Sequence, residues 1–154
     1  MDVSRAREVA RGLMDAHGLR GWDLAIDRAK RRAGYTSHAR RTISLSGPLI
    51  TLYSEEQVRL LVLHEVAHAL VGEGHGHDAA WRAACLKIGG DGLTRVDPKW
   101  PTAPALWVGL CPNGHRFERQ RLGRAGSCPR CSRVFDRRYL ITWTNQRTGE
   151  IFRG

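Results

Sequence analysis

The stretch His64-Glu65-Val66-Ala67-His68 constrains this chain more than any other. Residues four apart stack one turn above each other on a helix face, so both imidazoles can reach a single tetrahedral ion. Glu65 projects beside that position, where a carboxylate can take a proton from water and pass it to a leaving amine. The surroundings read as a helix. Ser54 is an N-cap, Gln57 completes a Ser-x-x-Gln capping box, and Glu55 and Glu56 suit the positive end of the helix dipole. From Val58 the run continues without a breaker to Val71, and Gly72 supplies the stop. Leu60-Leu61-Val62-Leu63 and Ala69-Leu70-Val71 flank the motif. Three polar side chains on a largely buried helix are costly without partners, which favours metal ligation over a surface ion-pair face.

A catalytic zinc needs a third protein ligand and an open position. The longer pattern with Gly and His at fixed distances fails, because position 71 is Val and position 74 is Gly. The loop Gly72-Glu73-Gly74-His75-Gly76-His77 offers two candidates, His75 and His77, and Asp78 can cap a further helix reaching Ile88.

A second metal pattern lies near the C-terminal end. Cys111-Pro-Asn-Gly-His115 and Cys128-Pro-Arg-Cys131 are two ligand pairs twelve residues apart, with Pro112 and Pro129 stiffening the turns. Cys111, His115, Cys128 and Cys131 make a closed Cys3His set of structural type, with no place for water. So few apolar residues lie between 111 and 137 that the segment could hardly order itself without an ion. The expected cofactor is therefore zinc, two ions per chain, one catalytic and one structural. Cys85 has no ligand spacing and reads as a buried helix residue.

Elsewhere the pattern is that of a small mixed domain. Residues 3–16 place Val9, Ala10, Leu13 and Met14 on one helical face. Trp22 to Ile26 and Thr42 to Leu45 read as strands, residues 30–37 as a hairpin or irregular loop, and Gly47-Pro48 as a strand breaker. Pro98, Pro101 and Pro104 mark a stiff linker.

Several of these pieces together resemble the SprT-like zinc metallopeptidases, which include the eukaryotic Spartan proteases. The likeness lies in the His-Glu-x-x-His-Ala core, a glycine-containing loop, and Gly76-His77 with the aromatic Trp81 four residues later. It reaches upstream to Thr42-Ile43-Ser44-Leu45-Ser46 with Pro48-Leu49 and Ser54-Glu55-Glu56, and downstream to the cysteine knuckles, covering residues 20–150. The departures are Asp78-Ala79-Ala80 after the third histidine and His115 in place of a thiolate. The resemblance selects His77 as third ligand, because taking His75 would put Ala79 at the aromatic position. It implies a fold of α+β class: a zincin-like minimal metallopeptidase domain over 1–95, a Pro-rich linker over 96–105 and a DNA-binding zinc ribbon over 106–154. It also implies an endopeptidase in which Glu65 is general base and then acid, acting on proteins bound or crosslinked to DNA. The strand Thr42 to Ser46 is expected to lie at a sheet edge and to align an extended peptide by strand addition.

Charge points the same way. The formal net charge is +10, and residues 96–154 hold 11 basic and 4 acidic side chains. Such an excess suits a polyanion, here single-stranded or damaged DNA. Arg116, Arg119, Arg121, Arg124, Arg137 and Arg138 are the expected phosphate contacts. Phe117, Phe135 and Trp143 are expected in the ribbon core. Two rival functions are a regulatory zinc peptidase without DNA dependence and a non-catalytic zinc-ribbon DNA-binding protein. Glu65 argues against the latter, since a structural ion needs no such carboxylate. With no apolar block near Asp2, Arg5, Arg7 and Glu8, and with Leu60 to Leu63 far too short for a span, a cytoplasmic protein is expected, nucleoid-associated in a prokaryote or phage.

Overall fold

The computed structural model describes residues 1–153 and divides them into two compact units, one through Ala103 and one from Pro104. The fold is of α+β class, as the sequence pattern implies. In the first unit, helix α1 (Val3–Ala16) opens on Asp2, whose carboxylate accepts from the Ser4 and Arg5 amides. Ala6, Ala10 and Met14 are its buried stripe, one residue in four, as an amphipathic helix requires.

Strands β1 (Asp23–Asp27), β2 (Gly34–Ser37) and β3 (Thr42–Ser46) form one sheet in the order β1-β3-β2. β1 runs parallel to β3 with Asp23 opposite Thr42, and β2 runs antiparallel to it with Tyr35 opposite Ser44. Two expectations change here. Thr42–Ser46 is the central strand rather than an edge; its buried residues Ile43, Leu45 and Ser46 need cover on both sides. The stretch 30–37 is not all loop, because Gly34–Ser37 pairs along β3 and becomes the edge. A four-residue turn joins β2 to β3, with Arg41 at φ 46° closing it through its amide to the His38 carbonyl. Gly47-Pro48 starts the short helix α2 (Gly47–Ile50) instead of merely ending the strand; Ser46 caps it and Pro48 suits its first turn.

Helix α3 (Glu55–Val71) has both halves of the capping box: the Gln57 amide donates to Ser54 Oγ and the Ser54 amide to Gln57 Oε1. Gly72 ends it at φ 90°. Val58, Leu61, Val62 and Val66 pack against α1, Ile43, Leu45 and Ile50 in the main core. Each such side chain contributes about 1.5–3 kcal/mol of burial. Helix α4 (Ala79–Lys87) is capped by Asp78, which accepts from the Trp81 amide, and it buries Trp81 and Cys85 against Ala67. The supposed linker begins later than its prolines suggest. Trp100 and Ala103 pack on the main core, Trp100 edge-on to Tyr53, because two apolar side chains outweigh a stiff backbone there.

The second unit is a four-stranded antiparallel sheet in the order β5-β4-β6-β7, from β4 (Trp107–Leu110), β5 (Arg116–Arg119), β6 (Thr142–Asn145) and β7 (Ile151–Arg153). Trp107, Ile141 and Trp143 form its small core with Cys111 and Cys128, and Phe117 packs against them. Gly109 is required there: a Cβ would sit 2.6 Å from Ile141 and 2.7 Å from Trp143. Phe135 does not join this core. It is 62% exposed beside Val134 at 74%, because the loop 132–136 is held by Ser132 and Ser127 hydrogen bonds rather than by packing.

Candidate metal centres

One turn of α3 presents His64 and His68 on the same side, and the α3–α4 loop returns His77 to them. His77 Nε2 lies 2.9 Å from His64 Nε2 and 3.2 Å from His68 Nε2. A tetrahedral zinc with bonds of about 2.0–2.1 Å places such nitrogens about 3.3–3.4 Å apart, so the donor set fits the ion. His64 Nδ1 donates to the Leu93 carbonyl at 3.2 Å, which leaves Nε2 as the lone-pair nitrogen. Trp81 lies against all three rings, with centroids 4.7, 5.3 and 4.6 Å from His64, His68 and His77. Burial, then mutual repulsion, lowers His64 and His68 to about 4, so both are neutral ligands at physiological pH.

His75 is occupied elsewhere. Its Nδ1 is 2.7 Å from Asp78 Oδ2, while Oδ1 of the same carboxylate caps α4. This clip closes the glycine loop on the residue after His77, and Gly72 and Gly74 supply its left-handed bends at φ 90° and 91°.

Glu65 is 5% exposed and lies under β2. The Thr36 hydroxyl is 2.8 Å from its Oε2 and 2.9 Å from its carbonyl oxygen. A Cβ at Gly34 would lie 2.9 Å from Oε1. Burial pushes Glu65 up to about 7, against the pull of Thr36 and the Arg32 charge. Neither Thr36 nor Gly34 stands out in the sequence. The one available signal is a glycine heading a strand, which marks close approach of another group. The cavity above Glu65 holds about 430 Å³ and is lined by His64, His77, Gly34, Leu60, Leu61 and Trp100 among others. Tyr35, Tyr53 and His75 do not line it. Tyr35 lies beneath Arg32, and Tyr53 is buried against Trp100.

In the second unit, Cys111, His115, Cys128 and Cys131 bring their ligand atoms within 4.8 Å of one another. Cys111 Sγ and Cys131 Sγ are 3.8 Å apart, close to the edge of a tetrahedron with zinc–sulfur bonds of about 2.3 Å. His115 contributes Nδ1, 3.3 Å from Cys131 Sγ and 3.5 Å from Cys128 Sγ. Burial raises the Cys111 thiol, but amide donors at His115 and Asn113 and the neighbouring thiols outweigh it and leave the group at about 7. Cys131 is pushed up to about 11 by burial and by the adjacent sulfurs. Cys85 is distant in kind: a buried helix residue in the Trp81 cluster.

The arginines divide by what they touch. Arg116 pairs with Glu118, Arg138 with Asp136 at 2.8 Å, and Arg119 covers the Trp143 ring at 4.5 Å. Arg121, Arg124 and Arg137 are exposed and have no side-chain partner among the described residues. No helix among those residues is long and apolar enough to cross a membrane.

Two solved structures resemble part of the chain. One is the metallopeptidase zymogen jannalysin of Methanocaldococcus jannaschii, with 15% identity over 54% of this chain and 88% of that one, at a TM-score of 0.46. The other is the metallopeptidase zymogen abylysin of Pyrococcus abyssi, with 20% identity over 54% of this chain and 78% of that one, also at 0.46. No curated protein sequence matches. The family assignment comes from the sequence itself: residues 8–100, running from α1 through the histidine helix to Trp100, match the SprT-like family profile, and the chain belongs to that family.

Proposed function

We propose that this chain is a zinc-dependent endopeptidase of SprT-like type, acting on proteins that sit on DNA. One observation carries the reading: three imidazole Nε2 atoms converge beside a buried carboxylate at the floor of a cavity of about 430 Å³. His64, His68 and His77 would hold the catalytic zinc. When bound, zinc supplies Lewis acidity that polarises a peptide carbonyl and acidifies water. Glu65 accepts the proton that the attacking water loses and returns it to the leaving amine. Thr36 holds Oε2 in place, which leaves Oε1, beside Gly34, as the oxygen to accept the proton. Edge strand β2 can pair with an extended peptide and present it over Glu65, a role the sequence pointed to on β3.

Cys111, His115, Cys128 and Cys131 would hold a second, structural zinc. The DNA part of the proposal rests on the exposed, unpartnered Arg121, Arg124 and Arg137 and on Phe135, which is open to stack on an unpaired base. Glu65→Gln tests the chemistry. It keeps the carboxylate's size but not its basicity, and should hold zinc while cleaving about 10²–10⁴-fold more slowly. Cleavage at the parent rate removes Glu65 as the base. Stimulation of cleavage by single-stranded DNA tests the substrate setting. A rate indifferent to DNA favours a regulatory peptidase instead.

A further inference from the structure

The cavity over Glu65 is not electrically neutral in its free groups. Five charged side chains line it: Arg31, Arg32, Arg95, Asp91 and Glu65. Three of them are already engaged. Arg32 pairs with Asp27 at 2.8 Å and lies over the Tyr35 ring; Glu65 has Thr36; Asp91 accepts the Leu93 amide at 2.9 Å. Arg31 and Arg95 have no ion pair, hydrogen bond or ring contact among the described residues. They come from different parts of the chain, Arg31 from the loop leading into β2 and Arg95 from the segment after α4, yet they line one cavity. The same lining includes the apolar Leu60, Leu61, Val96 and Trp100. An aliphatic stem with an anionic tip meets both kinds of surface at once. A basic side chain there would face two guanidinium groups that have no ion-pair partner among the described residues.

We infer that this cleft selects peptides carrying an acidic side chain next to the scissile bond, with Arg31 and Arg95 as its cationic contacts. The inference rests on the peptidase reading above. Arg31 and Arg95 are specificity determinants: they touch substrate away from the bond that breaks. Discrimination comes from both signs, attraction of a carboxylate and repulsion of an ammonium.

The test uses the full zinc-loaded chain and three peptides identical except for Glu, Gln or Lys beside the cleaved bond. The parent should prefer Glu to Lys by roughly tenfold or more in kcat/KM, with Gln between and the ratio shrinking as salt rises. Arg31→Glu with Arg95→Glu should invert the order. The single changes Arg31→Gln and Arg95→Gln should each narrow it, which keeps the test open if the double variant misfolds. A parent that cleaves all three peptides equally overturns the inference and leaves the peptidase reading standing. A parent that cleaves none defeats the peptidase reading. Binding then decides the specificity: the Glu65→Gln chain should hold the labelled Glu peptide more tightly than the Lys peptide by fluorescence anisotropy. Equal affinities overturn the inference.

Discussion

The Thr36 hydroxyl reaches both Oε2 and the carbonyl oxygen of Glu65, at 2.8 and 2.9 Å. One side chain on the sheet edge thereby ties the Glu65 carboxylate and its helix backbone to β2. Replacing Thr36 with Val keeps the shape and removes the tie. A hydrogen bond to a charged group is worth about 1.5–3 kcal/mol, so kcat should fall roughly tenfold or more while zinc content stays unchanged. Thr36→Ser should restore most of it. Steady-state kinetics on the three proteins reads this directly, and an active Thr36→Val chain would show that the tie is dispensable.

Gly34→Ala is expected to be destabilising for a different reason. The new methyl would meet Glu65 Oε1 at 2.9 Å, Cγ at 3.1 Å and the Ser44 carbonyl at 3.2 Å. Two of these atoms belong to a buried side chain and one to the central strand, so none can retreat freely. Overpacking of this kind costs about 1–3 kcal/mol. Thermal denaturation should show a lower Tm, together with slower cleavage because the carboxylate must move.

Metal counting separates the two sites. The purified chain should carry two zinc ions, and a chelator should remove the three-histidine ion first, because its fourth position is open. His77→Ala should leave one ion. His75→Ala should leave two, since His75 bonds to Asp78 rather than to the cluster. Loss of an ion on His75→Ala, with retention on His77→Ala, would reverse the ligand assignment. Cys128→Ser should remove the other ion and unfold the second unit.

Acid stability should depend on Asp27. Its carboxylate accepts from the Ala29 amide, Ser44 Oγ and Arg32, and although burial opposes ionisation these donors lower it below the usual 3.8. A depressed carboxylate stabilises the folded state above its unfolded value, and that contribution fades as pH falls below 3.8 towards the folded value. Asp27→Asn should therefore lower Tm at neutral pH and flatten the fall of Tm on the acid side. Parallel curves for the two proteins would mean that the three bonds carry no stability.

DNA affinity should show the division among the arginines. Changing Arg121, Arg124 and Arg137 to Ser in the full chain removes three unpartnered cations. At about −0.7 per phosphate on single strands, the log–log salt slope should flatten by about 2. The same number of changes at Arg116, Arg119 and Arg138 should flatten it less and lower Tm more, because those side chains hold Glu118, Trp143 and Asp136. Phe135→Ser should weaken single-strand binding without moving the slope. Normal binding by both triple variants would separate the second unit from DNA.

The sequence by itself determined whatever depends on neighbours along the chain. A helix brings His64, Glu65 and His68 together by its 3.6-residue period. Ser54 and Gln57 sit three apart because a capping box needs that spacing, and the two knuckles pair Cys111 with His115 and Cys128 with Cys131 across single turns. The tertiary structure decided whatever depends on which strand lies beside which. Thr42-Ile43-Ser44-Leu45-Ser46 alternates polar and apolar residues just as an edge strand over a core would, so the burial of Ile43, Ser44, Leu45 and Ser46 in succession and the central place of β3 in β1-β3-β2 have no local signature. Thr36 reaches Glu65 across 29 residues and Leu93 reaches His64 across another 29, distances at which residue type says nothing about contact. Phe135 shows the converse. An aromatic between basic residues reads equally as core or as surface, and only the count of apolar partners around it, here too few, puts it in solvent.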